Sequence, residues 1–235
     1  MNNSLKLFFS VIIVIALVGG YFLFRRGTIS PGLQKVQEWI LHSDLHPDWK
    51  TKQGERCGTA PFVFPTHGYI GFVWGDSFRP GHQHQGLDIF GGDEPGKTEV
   101  RSAYDGYLNR LPDWKSTVII RIPSDPLQPD RQIWTYYTHM ADQNGKSFVS
   151  PEFPAGTEEV FVRAGTLIGY QGNFSGTPDN PTGVHLHFSI VKDDETGSFK
   201  NELDINNTFD PSPYFNLTLN SRTGEIEFPI KCLTD

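Results

Sequence analysis

After Pro61 the chain breaks into short runs of Val, Ile, Phe and Tyr, with Gly, Pro or Asp between them. The runs are Phe62-Val63-Phe64, Tyr107-Leu108, Val118-Ile119-Ile120, Ile133-Trp134-Thr135-Tyr136-Tyr137, Val160-Phe161-Val162 and Leu186-His187-Phe188-Ser189-Ile190-Val191. Such runs are too short for helices and have the β-branched and aromatic content of strands. The spacing predicts an all-β fold, an antiparallel β-sheet domain over residues 61–215. The 24 Gly and 17 Pro point the same way, to a turn-rich fold rather than a helical bundle. Apolar residues at 37% supply a core and exclude wholesale disorder. No internal repeat interrupts the pattern.

What precedes this domain is different in kind. From Leu7 to Phe24 the chain is LFFSVIIVIALVGGYFLF, without a charge. As a helix this segment spans roughly 27 Å, close to the hydrocarbon thickness of a bilayer. It has no clear small-x-small cleavage site, so residues 1–26 are expected to be an uncleaved transmembrane anchor, with a cleaved signal as the alternative. Flanking charge does not orient it, because Lys6 competes with Arg25 and Arg26. Residues 27–60 are expected to be a juxtamembrane helix and linker. Ser30-Pro31 reads as N-cap and first helical residue, and Leu33, Val36 and Ile40 share one helical face. His42 and His46 are four apart, but Ser-Asp-Leu lies between them, and exposed histidines are expected there rather than a metal pair. Residues 48–60 are polar and read as a linker, and residues 216–235 as a C-terminal tail.

Charge narrows the partners. The chain has 20 Lys and Arg against 27 Asp and Glu, a net charge of −7. All 27 acids lie beyond residue 26, so residues 27–235 hold 17 basic against 27 acidic residues, a net −10. A nucleic-acid binder needs a basic face, and so does a polybasic membrane-surface protein, so neither is expected. The two cysteines, Cys57 and Cys232, are too few for a disulfide-built miniprotein. In an oxidising compartment they can pair and tie the tail to the entry segment. The loop-entropy model gives such a bridge on the order of 5 kcal/mol.

Chemistry concentrates in the histidines. In Val184-His185-Leu186-His187-Phe188 the two imidazoles are two apart, and in a strand they face the same side. Buried imidazoles need partners for their ring nitrogens, so an adjacent pair on one face points to function. In His84-Gln85-Gly86-Leu87-Asp88, a straight strand would separate His84 from Asp88 by roughly 13 Å. Zinc bonds are only about 2 Å long, so the segment must bend if both bind one ion, and Gly86 permits a bend. Together His84, Asp88 and His187 supply two imidazoles and one carboxylate, the three-ligand set of a catalytic zinc site. Such a metal lowers the pKa of its water and polarises a carbonyl. His185 is placed to take a proton from that water, and His139 to donate a hydrogen bond to the oxyanion.

Several segments, in order, resemble one family. They are Arg79 with His84-Gln85-Gly86-Leu87-Asp88; Ala103-Tyr104-Asp105-Gly106-Tyr107; Tyr137-Thr138-His139-Met140; and the glycine-punctuated Val162–Gly169 with Gly172-Asn173. Thr182-Gly183-Val184-His185-Leu186-His187-Phe188 and Asp210-Pro211 with Tyr214 complete the set. Residues 61–215 thereby resemble the lysostaphin/LytM-type zinc endopeptidases of bacterial cell walls. The resemblance implies the antiparallel fold called a duplicated hybrid motif. It implies Zn2+ on His84, Asp88 and His187, with His185 and His139 catalytic and His185 the base. It implies peptide bonds of peptidoglycan as substrate, and a domain outside the cytoplasm, anchored in the cell envelope or secreted if the anchor is cleaved. Three features depart from the pattern. His82 competes with His84, Met140 replaces a leucine, and the loop Phe174–Pro181 is long and expected on the cleft rim. The main alternative is a non-catalytic relative that binds or activates another wall hydrolase. A non-haem iron oxygenase shares the two-His, one-carboxylate set but not the extra imidazoles. A structural metal site would be expected to have four protein ligands. An envelope regulator as partner is compatible with the sequence and not specified by it.

Overall fold

The computed structural model describes residues 31–76, 81–217, 219 and 229–232. The apolar segment Leu7–Phe24, Ser30 and Arg79 lie outside the described residues. Among the described residues no helix is long and apolar enough to cross a membrane.

Among the described residues, ten strands follow one α-helix. They are β1 (Tyr69–Phe72), β2 (Gly86–Phe90), β3 (Glu99–Arg101), β4 (Gly106–Asn109), β5 (Val118–Ile122), β6 (Ile133–Thr138), β7 (Val160–Val162), β8 (Leu167–Tyr170), β9 (Leu186–Lys192) and β10 (Thr208–Phe209). Seven of them form a sheet in the order β1-β2-β9-β6-β5-β4-β7, and β10 adds to β9. β3 and β8 make a separate two-stranded sheet. Every pairing is antiparallel, as the short runs predict. Five of the six expected runs are strands. Phe62-Val63-Phe64 is the exception: its amides bond to Tyr214, Ala103 and Glu55 carbonyls outside any ladder. Its two phenylalanines are nonetheless fully in the core, where Phe62 meets Tyr104, Tyr214, Phe188 and Phe215.

Alternation along the strands divides the large sheet into two faces. Leu87, Ile89, Leu108, Val118, Ile120, Tyr137, Leu186, Phe188 and Ile190 point into the main core. Asp88, Phe90, Tyr136 and His187 occupy the alternate positions and face the other way. On that second face Ile119, Trp134 and Val191 form a smaller cluster.

The helix α1 (Pro31–His42) packs over this second face. Val36 and Trp39 bury against Tyr69, Phe90 and Trp49. The indole N–H of Trp39 donates to the Phe90 carbonyl at 2.7 Å. The buried face therefore runs through Val36 and Trp39. Ile40, expected on it, is 49% exposed. His42 is exposed as expected, whereas His46 is half-buried, stacks on Trp49 and lies 3.0 Å from Glu38. Residues 48–60, polar in sequence, belong to the folded body: Trp49, Thr51, Cys57 and Ala60 are buried, and Thr51 bridges Gly68. Cys57 and Cys232 form a disulfide with their Cα atoms 5.2 Å apart.

Candidate metal centre

The register of three neighbouring strands builds the site. Asp88 on β2 lies directly opposite His187 on β9, and His187 lies opposite Thr138 on β6. Cross-strand neighbours of this kind sit about 4.5–5.5 Å apart at Cβ, close enough for their side chains to meet. His84 precedes β2 and reaches back to the same point. Its amide bonds to the Asp76 carbonyl and its carbonyl accepts from Gly75, so His84 is held outside the ladder that β2 enters at Gly86. Gly86 itself has no positive φ. Its necessity is of another sort: a Cβ there would lie 2.1 Å from the Phe188 carbonyl oxygen. The missing side chain lets β2 press against β9, which brings Asp88 to His187.

His84 Nε2 lies 3.0 Å from Asp88 Oδ1 and 3.0 Å from His187 Nδ1, and His187 Nδ1 lies 2.8 Å from Asp88 Oδ1. All three residues are buried. The other ring nitrogens are already used. His84 Nδ1 donates to the Val73 carbonyl at 3.1 Å, and His187 Nε2 lies 2.9 Å from Glu202 Oε1. When neither facing ring nitrogen carries a proton, the three converging atoms are all acceptors. That set suits a cation at the point they share, whereas in the metal-free protein His187 can keep a proton on Nδ1 and donate it to Asp88. Ligand atoms of a tetrahedral zinc with bonds of about 2.0–2.1 Å lie roughly 3.3 Å from one another. The observed triangle has close to that size, so the set fits the ion. His84, Asp88 and His187 are also the group among the described residues whose ligand atoms converge in this way. His82 lines the cleft but stands outside that set, so the competing imidazole does not displace His84.

Burial raises the Asp88 carboxyl, but the His84, His185 and His187 imidazoles outweigh it and hold Asp88 well below the usual carboxylate range. In the metal-free protein burial lowers His187, but the Glu202 and Asp88 carboxylates overcome it and push His187 up to about 10. Burial also opposes ionisation of Glu202, and the adjacent His187 reverses that, lowering it.

Two more imidazoles flank the cluster. His185 precedes β9 and is held by a bridge to Gly172, while its Nδ1–H donates to the Gly183 carbonyl at 2.7 Å. Its Nε2 lies 3.5 Å from Asp88 Oδ1. His139 follows β6 at φ 71°, in the left-handed region that few non-glycine residues use. Its Nδ1 donates to the Phe174 carbonyl at 2.7 Å. The two rings lie 4.5 Å apart. Gly172 is what lets their backbones meet: a Cβ there would sit 2.1 Å from the Ala141 carbonyl oxygen and 2.5 Å from that of His139. Burial, then the neighbouring His185 and His187, push His139 down to about 3, and burial lowers His185. Both rings are therefore neutral, with the proton on Nδ1 and a lone pair on Nε2. In this neutral form His139 has its lone pair at Nε2, and it presents an N–H there once it takes up a proton.

A cleft of about 1070 Å³ opens over the cluster. The loop Phe174–Pro181 lines its rim, as expected, through Phe174, Ser175 and Thr177. Val36 and Ile40 of α1 form another wall, which the sequence did not suggest. Glu202 was also missed. It is one acid among 27, in a polar loop fifteen residues beyond His187, and no local pattern marks it.

No protein-family model matches the sequence, and no curated protein does. Solved structures do. Lysostaphin from Staphylococcus simulans, an antimicrobial peptidase, is 20% identical over 67% of this chain, with a TM-score of 0.40. The catalytic domain of the prophage-encoded protein EnpA from Enterococcus faecalis is 19% identical over 63% of the chain and 95% of its own, with a TM-score of 0.37. A zinc-containing peptidase from Vibrio cholerae is 16% identical over 64% of the chain and 40% of its own, with a TM-score of 0.36. The chain spans 57% of the lysostaphin structure's length.

Proposed function

We propose that this chain is a zinc-dependent endopeptidase that cuts peptide bonds in bacterial cell-wall peptidoglycan. The observation that carries the reading is the buried triangle of His84 Nε2, Asp88 Oδ1 and His187 Nδ1 on the floor of an open cleft, with two neutral imidazoles beside it. Zinc held by these three atoms would supply an acidified water and a Lewis acid for the scissile carbonyl.

The chain's own groups do the rest. His185 directs its Nδ1–H at Gly183, so its Nε2 lone pair is free to accept the proton of the attacking water. The Gly183 carbonyl then steadies the imidazolium that forms. His139, held by Phe174, has the same tautomer and lies against His185. His185 can return that proton to the leaving amine, and His139 can present an N–H to the developing oxyanion when its Nε2 carries a proton of its own. Phe90 stacks on His185 at 4.9 Å and shields it from water.

Membrane anchoring through Leu7–Phe24 and a position outside the cytoplasm belong to the same proposal. The Cys57–Cys232 disulfide supports an oxidising compartment, and the uncharged apolar run supports an anchor.

The test is mass spectrometry of fragments released from purified peptidoglycan by the wild-type chain and by His187→Ala and His185→Ala. New peptide ends should appear with the wild type. They should vanish with both variants, with zinc lost only from His187→Ala. A folded, zinc-loaded wild type that releases nothing would remove the endopeptidase reading and leave a binding role.

A further inference from the structure

We infer that Glu202 is a positioning residue for the metal centre: by accepting the Nε2–H of His187 it fixes that ring's tautomer and orientation, and so sets the affinity for zinc. The inference rests on His187 being a ligand through Nδ1. An imidazole has two ring nitrogens, and only the unprotonated one can bind a cation. An acceptor fixed at one nitrogen holds the proton there and leaves the lone pair on the other. Glu202 Oε1 lies 2.9 Å from His187 Nε2, the nitrogen opposite the triangle. Both side chains are about nine-tenths buried, at 9% and 10% exposure, so water does not compete for the bond. Glu202 is not itself one of the converging ligands.

The loop that carries Glu202 is tied down on several sides. Gln85 donates to the Leu203 carbonyl at 3.0 Å, and Asn207 to the Asn201 carbonyl at 3.0 Å. The Lys200 amide bonds to the Lys192 carbonyl at the end of β9. Gln85 is the residue after His84, so one contact joins the segment that carries the first ligand to the loop that orients the third. His84 and His187 are thus held alike, each by an acceptor on its outer nitrogen. The acceptor is a neutral carbonyl for His84 and a carboxylate for His187. The carboxylate also makes the His187 ring a stronger electron donor to a cation.

The test is zinc affinity, measured on the full chain by competition with a chromophoric chelator, for wild type, Glu202→Gln, Glu202→Ala, His187→Ala and the Glu202→Ala/His187→Ala double variant. Glu202→Ala should bind zinc about 10–100-fold more weakly than wild type, the usual effect of losing such a partner. Glu202→Gln keeps an acceptor oxygen without the charge and should fall between the two. Adding Glu202→Ala to His187→Ala should change nothing further, because the effect runs through that ring. Wild-type affinity in Glu202→Ala, with His187→Ala impaired, would overturn the inference and leave the metal centre standing. A wild type that takes up no zinc, or a His187→Ala that binds it normally, would instead overturn the metal centre and this inference with it. Should Glu202→Ala fail to fold, the isosteric Glu202→Gln decides: several-fold weaker binding supports the role, and wild-type binding overturns it.

Discussion

The two faces of the large sheet use the same strands for opposite ends. On β9, Leu186, Phe188 and Ile190 enter a closed apolar core, while His187 between them faces the cleft. On β2, Leu87 and Ile89 enter the core while Asp88 faces the cleft. One face gains from removing apolar surface from water, about 25 cal/mol per Å². The other buries three imidazoles and two carboxylates, His84, His185, His187, Asp88 and Glu202, which burial alone opposes. The strand period of two lets one backbone do both, because neither set of side chains intrudes on the other. The difference teaches where stability and chemistry should separate under mutation: the core face should set folding, and the cleft face should set what the folded protein binds.

The sharpest way to break that division is Phe188→Ala. Phe188 is fully buried and meets the rings of Phe62, Tyr137 and Phe215. Its loss should cost about 3–5 kcal/mol in urea unfolding of the metal-free chain, while the molecules that remain folded still bind zinc. Weak destabilisation together with lost zinc binding would show that the faces are not separable. A smaller effect comes from the cleft side. Zinc at a hundred times its wild-type Kd should stabilise the wild type by about 2.7 kcal/mol and His187→Ala, which binds it more weakly, by much less, read as the shift in the same urea curves.

The contrast also marks what the sequence could reveal. Ladder periodicity is a local property, so five strands and the facing of His185 and His187 were legible from residue spacing, and the convergence of His84, Asp88 and His187 from motif. The strands β1, β2, β3, β8 and β10 were not. They are two to five residues long, and in most of them glycine or a charged residue breaks the apolar character, as in Tyr69–Phe72, Gly86–Phe90 and Glu99–Arg101. The packing face of α1 was misread because Trp39, one position from Ile40, finds an acceptor in the Phe90 carbonyl, 51 residues away. Glu202 and the tautomer of His139 share that character. Each depends on a partner brought in by the fold, a loop residue in one case and the Phe174 carbonyl in the other. Spacing along the chain has no access to either.

The mildest test of the comparison uses acid. In the metal-free protein His139 is depressed from 6.5 to about 3, and His185 is lowered as well. The unfolded chain then binds more protons than the native one between these values. Stability is fully present above pH 6.5 and declines as the pH falls toward 3. For His139 alone the loss at pH 5 amounts to about 2 kcal/mol, at 1.36 kcal/mol per pH unit. His187 has the opposite sign. It is raised to about 10, so its contribution is complete below 6.5 and fades as the pH climbs toward 10. Urea unfolding of the metal-free chain should therefore show greatest stability near pH 6.5, and His139→Gln should flatten the acid side while leaving the alkaline side unchanged. Phe188→Ala should lower the whole curve without changing its shape, because an apolar ring does not titrate. An acid side equally steep in wild type and His139→Gln would mean that His139 takes up a proton in the native cleft as readily as in the unfolded chain, so that the cleft does not hold it neutral.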